Sequence, residues 1–349
     1  MKKYKALKFI IPVIILGLLL SFLGFSFYYK HFLNQNVSIS ADKEYLYLYR
    51  KSNTQDVINQ LIAIDAIKDT AELYAFMIRK NYQGRNIVPG KYKLSSGWTN
   101  NRLIDHLRAG NGKIDTRLII TQARNLKHLA RQLAREVLLD SAKIYDFISN
   151  KDSMLTYGFN KETQICMFIP NTYFVDWDIT LKELSERIYD EYQKFWTPER
   201  LEKAQAVQMS KTEVITLASI VYWETKMAED IPVVAGVYMN RLRLGMPLQA
   251  DPTLIFALDD YSIKRVLNIH KQVESPYNTY KYNGLPPGPI LIPPIKYIDG
   301  VLNYAKHSYI FFVAKEDFSG YSNFSETYAE HQAFAKKYRN AFKERFGNK

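Results

Sequence analysis

From Phe9 to Tyr29 the chain carries no charged residue: 21 positions reading FIIPVIILGLLLSFLGFSFYY. About 20 apolar residues carry a helix across a bilayer core. Lys2, Lys3, Lys5 and Lys8 precede the run without any acid, and Lys30 follows it. The positive-inside bias therefore puts the tail, residues 1–8, in the cytoplasm and the remainder outside. A cleaved signal peptide would have a shorter apolar region and a small-residue cleavage site after it. Neither is seen, so the expectation is an uncleaved transmembrane helix over 9–29. ATP-dependent chemistry is not expected beyond such a span, and no GxxxxGK[ST] loop occurs.

The 349 residues are 47% hydrophobic and 23% charged, the balance of a folded protein rather than a disordered one. At roughly 100–200 residues per domain, two or three units are expected. Cys166 is the single cysteine, which excludes an internal disulfide and a multi-cysteine metal site. His31, His106, His128, His270, His307 and His331 are scattered without an HExxH pair. No metal site and no cofactor are expected. The net charge is +12, but no zinc-finger spacing, RNP-type run or concentrated basic helix points to nucleic acid. An anionic surface, a membrane or a cell wall, explains the excess.

Beyond the span, residues 30–43 read as a stalk. Tyr45–Arg50 alternates like a strand. Thr54 is placed to cap a helix carrying Val57, Ile58, Leu61 and Ile62, and a second helix covers Ala71–Lys80. Val88–Leu94 reads as turn and strand, and Asn100–Ala109 as a helix closed by Gly110. This strand–helix–helix–strand order suits a small α+β module. Residues 117–120 read as a strand, with helices near 125–138, 141–149 and 180–195. Thr197 and Pro198 mark the N-cap and first turn of another helix. After about residue 210 come two helices, a long Pro/Gly/Asn/Tyr-rich stretch, a strand and a final helix.

Residues 212–225, TEVITLASIVYWET, hold the clearest chemical signal. Leu217, Ile220 and Val221 lie on one helical stripe, and Glu224 continues it. Burying a carboxylate disfavours its charged form, and so does the negative end of a helix dipole. An acid that keeps its proton near neutral pH is a general acid. Taken from this helix alone, Glu224 could equally point to solvent at a frayed end. In the next helix, ending Asn240–Gly245, the arginines read as C-terminal punctuation and Asp230 as the N-cap. Asp251 before Pro252 reads as a turn. The stretch Ser275–Pro289, dense in amides, hydroxyls and rings, suits carbohydrate or serves as a stiff connector.

LASIVYWET, NRLRLGMPLQADPT, SPYNTYKYNGLPPGPI and IFFVAK, in that order and spacing, resemble the YceG-like endolytic murein transglycosylases, the MltG family. GKYKL resembles that family's LysM-like membrane-proximal module, and FIPNTY its FPDTY segment. The chain departs from the pattern at Tyr222, where many members carry a second glutamate. It departs also at Asn171 for aspartate, at ITQARN for an IPEG-like turn, and at Ser325 for asparagine.

The resemblance implies an α+β protein with a single transmembrane helix. After the stalk would come a LysM-like module at 44–115, a helical connecting region at 116–205 and a catalytic transglycosylase domain at 206–349. It implies an endolytic enzyme that cuts nascent peptidoglycan between N-acetylmuramic acid and N-acetylglucosamine. The products would be 1,6-anhydro ends, made beside the membrane and alongside peptidoglycan synthases. The catalytic role falls to Glu224. Gln249, Asp251, Thr253, Asn278, Tyr280 and Asn283 are the candidates for substrate contact or for holding Glu224. The alternatives are a non-catalytic anchored wall-binding protein, and a serine hydrolase built on Ser219 and a histidine. No GxSxG elbow surrounds Ser219.

Overall fold

The computed structural model describes residues 2–29, 34–40, 43–110 and 112–347. Of the expected tail and stalk, residue 1 and residues 30–33 and 41–42 lie outside the described residues. The architecture mixes helix and sheet, with fourteen α-helices and three two-stranded sheets among the described residues. Helix α1 (Lys2–Tyr28) contains the apolar run up to Tyr28, with Pro12 inside it. Its segment Ile11–Tyr28 has a mean hydropathy of 2.2, with none of it buried by protein, and is long and apolar enough to cross a membrane.

The rest of the chain divides between two compact units, and the first also takes in α1. The first unit holds β1 (Tyr45–Leu48), α2 (Thr54–Ala63), α3 (Thr70–Arg79), β2 (Gly90–Lys93) and α4 (Asn100–Ala109). The strands pair antiparallel, Tyr45 opposite Lys93 and Leu48 opposite Gly90. Strand alternation turns Leu46 and Leu48 inward, onto a core with Val57, Leu61, Leu73 and Leu103. Fully burying each such side chain contributes about 1.5–3 kcal/mol. Helix α2 is capped one residue earlier than the sequence suggests. Asn53, not Thr54, accepts from the Asp56 amide at 3.0 Å, and Asp56 returns a bond to the Asn53 amide at 2.8 Å. The distant segment Phe174–Asp178 belongs to this unit too. Its Trp177 packs on Tyr47 at 4.7 Å, and its buried Asp178 accepts from Arg50 at 3.1 Å.

The boundary between units falls inside β3 (Thr116–Ile120) and β4 (Asn171–Val175), which pair with each other. The second unit continues with α5 (Leu126–Leu133), α6 (Ser141–Ser149), α7 (Lys151–Leu155), α8 (Leu181–Phe195) and α9 (Pro198–Ala206). Next come α10 (Lys211–Glu224), α11 (Asp230–Arg243), α12 (Asp251–Leu258) and α13 (Ile295–Leu302). The chain closes with β5 (Phe311–Ala314), β6 (Ser322–Ser325) and α14 (Tyr328–Phe346). Helix α10 is the hub, packed on α11, α12 and α13. Every residue from Val214 to Val221 is buried, so its apolar surface runs round the helix rather than along one stripe. Ser210 and Glu213 form its capping box.

Two local expectations need correction. Asp230 is the first residue of α11 rather than its cap: its carboxylate accepts from the Ser322 amide at 2.9 Å, on β6. Asp251 opens α12 instead of sitting in a free turn, with Pro252 in the first helical turn, where its fixed φ and missing N–H cost nothing. The stretch 275–289 contains neither helix nor strand. It runs hard against residue 162, where a Cβ on Gly288 would meet the Glu162 carbonyl oxygen at 2.1 Å.

Candidate active site

Glu224 is the last residue of α10, and Thr225 leaves the helix in an extended conformation. The carboxylate faces α11. There the Tyr238 hydroxyl, itself 2% exposed, donates to Glu224 Oε1 at 2.8 Å. Glu224 keeps part of its surface open to a cavity of about 300 Å³. Gln249, Asp251, Tyr280, Phe311, Phe312 and His331 also line this cavity. Loss of hydration is the largest influence on Glu224 and raises its pKa to about 7. The Asp251 carboxylate pushes the same way, while the Tyr238 hydrogen bond, Arg241 and Lys226 pull it down. The outcome is an acid that both holds and releases its proton near neutrality.

The cavity walls are fixed by polar bonds to the backbone. Arg241, three residues after Tyr238 on α11, is 7% exposed. Its guanidinium donates to the carbonyls of Ile310 at 2.7 Å, Leu248 at 2.8 Å and Pro247 at 3.3 Å. It therefore ties the loop before α12 to the start of β5, and is more than helix-end punctuation. Burial lowers its pKa. Its carbon sits 5.3 Å over the Phe311 ring, and that ring stacks with His331 of α14 at 5.2 Å. Phe312 meets Tyr238 edge-on at 6.0 Å. Tyr280 donates to Asp251 Oδ1 at 2.5 Å, and burial with that carboxylate raises its pKa.

The candidates read from the sequence separate into two groups. Gln249, Asp251 and Tyr280 stand around the cavity with Glu224. Gln249 is exposed and held at a φ of 54°, a conformation that a non-glycine side chain adopts only at a cost of about 1–3 kcal/mol. Its amide donates to the Thr279 carbonyl at 2.9 Å. Thr253, Asn278 and Asn283 do not line the cavity. Thr253 is fully buried and spends its hydroxyl on the Ala250 carbonyl and Thr279. Asn278, also fully buried, donates to the carbonyls of Lys271 and Val273, at 2.9 and 2.8 Å. Asn283 bonds the Gly245 carbonyl at 2.9 Å. These three hold the loops in place.

Sequence reasoning missed Tyr238, Arg241, Phe311, Phe312 and His331. One signal was available for the first two: a tyrosine and an arginine three apart share a helix face. The serine hydrolase reading has no support in the geometry. Ser219 is fully buried, donating to the Thr216 carbonyl at 2.7 Å and accepting from the Ile290 amide at 3.1 Å.

Fold and cleft together define a mixed helix-and-sheet protein with a carboxyl group, its pKa raised to about 7, at the wall of a cavity. Residues 46–337 match the YceG-like family, and the chain belongs to that family. It is 29% identical over 280 residues to the endolytic murein transglycosylase of Bacillus subtilis, covering 76% of this chain and 77% of that one. It is 26% identical over 343 residues to the endolytic murein transglycosylase of Streptococcus pneumoniae, covering 88% of this chain and 61% of that one. The fold resembles the crystal structure of the yceG-like protein lmo1499 from Listeria monocytogenes. That match has a TM-score of 0.55 and 24% identity, and covers 83% of this chain and 97% of the other.

Proposed function

We propose that this protein is an endolytic murein transglycosylase that cleaves peptidoglycan glycan strands with Glu224 as its general acid and base. The observation that carries the reading is the Glu224 carboxyl, with its pKa raised to about 7 at the wall of an aromatic-lined cavity. The names of the Bacillus and Streptococcus relatives support the substrate. Protonated Glu224 gives its proton to the glycosidic oxygen between N-acetylmuramic acid and N-acetylglucosamine as the bond to C1 breaks. The resulting carboxylate takes the proton of the muramyl 6-hydroxyl as that oxygen closes on C1. Glu224 ends protonated again, and the muramyl residue ends as a 1,6-anhydro sugar. An internal nucleophile suits this site, because its proximity replaces the capture and activation of a water.

Gln249, Asp251 and Tyr280 position the sugar, while Thr253, Asn278 and Asn283 hold the loops from which they project. Residues 44–115 act as a LysM-like wall-binding module, 116–205 as a helical connector and 206–349 as the catalytic domain. Helix α1 is a single-pass anchor in the cytoplasmic (inner) membrane with residues 1–8 inside. The catalytic domain then works on the outer face, on strands newly made by peptidoglycan synthases, and limits their length. Turnover of uncrosslinked glycan by the intact chain and by Glu224→Gln tests the reading. A non-catalytic wall-binding protein would bind the strands and leave their length unchanged.

A further inference from the structure

Lys226 follows Glu224 by two residues. Two residues of extended chain span about 7 Å at most, and Lys226 is close enough to lower the pKa of Glu224. Its ammonium lies 3.3 Å from the centre of the Tyr222 ring and donates to the Tyr222 carbonyl. The Tyr222 ring meets Tyr297 edge-on at 4.9 Å. Lys296 places its own ammonium 5.3 Å from the centre of the Tyr297 ring. Two exposed ammonium groups thus flank one aromatic pair beside the proposed acid.

Some lysines of this molecule are paired with carboxylates. Lys203 and Lys281 are neutralised by Glu199 and Glu274. Among the described residues, neither Lys226 nor Lys296 makes an ion pair with a carboxylate. Lys226 is also partly dried by the protein around it. That desolvation, with Lys296 as the next influence, lowers its pKa to about 8. Like charges held together on a partly dry surface repel, and an anion placed between them removes the repulsion.

We propose that Lys226 and Lys296 form a subsite for the free carboxylates of the peptide carried by the muramyl sugar. The inference rests on the murein-cleaving reading. It adds that this enzyme reads the stem peptide as well as the sugar. The peptide leaves the same muramyl ring whose bond Glu224 protonates. Its first two residues span about 7 Å, the same scale as the step from Glu224 to Lys226. Partly exposed Tyr222, backed by the buried ring of Tyr297, borders the path of the peptide backbone, and the two ammonium groups take its acids.

The test compares uncrosslinked strands with intact stem peptides against the same strands stripped by an amidase. The readout is the ratio of the two KM values, taken within each form of the full chain. The native protein is expected to show a KM about fivefold lower on peptide-bearing strands. Lys226→Met and Lys296→Met should each bring the ratio close to one, Lys296→Arg should keep it, and Lys296→Glu should drive it to the opposite preference. Taking the ratio cancels any effect of Lys226 on Glu224 itself. A native ratio of one overturns the inference while leaving the cleavage reading intact, and so does a preference that survives both methionine variants. Failure of the native protein to cleave either strand overturns the cleavage reading, and this inference with it.

Discussion

The Tyr238 hydroxyl donates to Glu224 Oε1 across 2.8 Å, joining the last residue of α10 to the middle of α11. The bond favours the charged carboxylate and so moderates the rise that burial imposes. Removing it in Tyr238→Phe should let the Glu224 pKa climb further, by about one unit. The alkaline fall of kcat/KM should then move to higher pH by the same amount. A pH–rate profile identical to that of the native protein would show that the hydroxyl has no hold on the acid.

Glu224→Gln keeps the shape of the side chain and takes away its proton. Cleavage of glycan should drop by about 10²–10⁴-fold, the span usual for a lone acid/base, with the folded state intact by circular dichroism. Glu213→Gln disturbs the α10 capping box, and Glu229→Gln the residue just before α11 and the bond it accepts from the Tyr321 hydroxyl at 3.2 Å. Both should retain turnover. Loss of activity in either of these, with Glu224→Gln still active, would place the chemistry elsewhere.

Glu224 also couples stability to pH. Its pKa is about 7 in the folded chain against an ordinary 4.5, so folding takes up a proton between these values. The contribution is full below about 4.5 and is lost as pH rises through 7. The difference of 2.5 units corresponds to about 3 kcal/mol. Urea unfolding should therefore show Glu224→Gln gaining on the native protein between pH 4.5 and pH 8 by an amount of that order. A stability difference flat with pH would contradict the buried acid.

The product separates two chemistries. Attack by the muramyl 6-hydroxyl gives 1,6-anhydro ends, each lighter by one water than a hydrolysed end. Digestion in oxygen-18 water, followed by mass spectrometry, should find no label in the new ends. Label there would mean that a water is activated. Asp251, which shares the cavity with Glu224 and accepts from Tyr280, would then be the carboxylate to mutate next.

Deleting residues 1–30 removes the apolar run that is long enough to span a bilayer. The shortened protein should stay in the supernatant after ultracentrifugation without detergent, and should still cleave glycan in solution. Sedimentation with membranes would show that another surface holds it there.

Several features were legible in the sequence because their causes are local. The 21 uncharged residues dictate an apolar helix whatever the rest of the chain does. Gly110 closes α4, and Thr197 with Pro198 starts α9, as capping chemistry requires. Glu224 stood out because an acid at the end of the apolar segment in α10 is costly to bury. What it faces was not legible. Whether an acid at a helix end meets solvent or a neighbouring hydroxyl depends on how α10 and α11 cross, and no local preference fixes that. The same limit applied to Thr253, Asn278 and Asn283, whose side-chain polarity suits a sugar and a loop carbonyl equally. Burial decided between them, and only packing sets burial. Arg241 looked like helix punctuation until the Pro247–Leu248 and Ile310 carbonyls converged on it from separate segments. Phe311 and His331 came to the cleft through the pairing of β5 with β6 and the docking of α14 on β5. Short-range sequence thus marked several of the helices and singled out one acid as the candidate proton carrier. The tertiary structure decided that residue's surroundings, because a pKa is set by the hydration, charges and hydrogen bonds that distant segments bring to it.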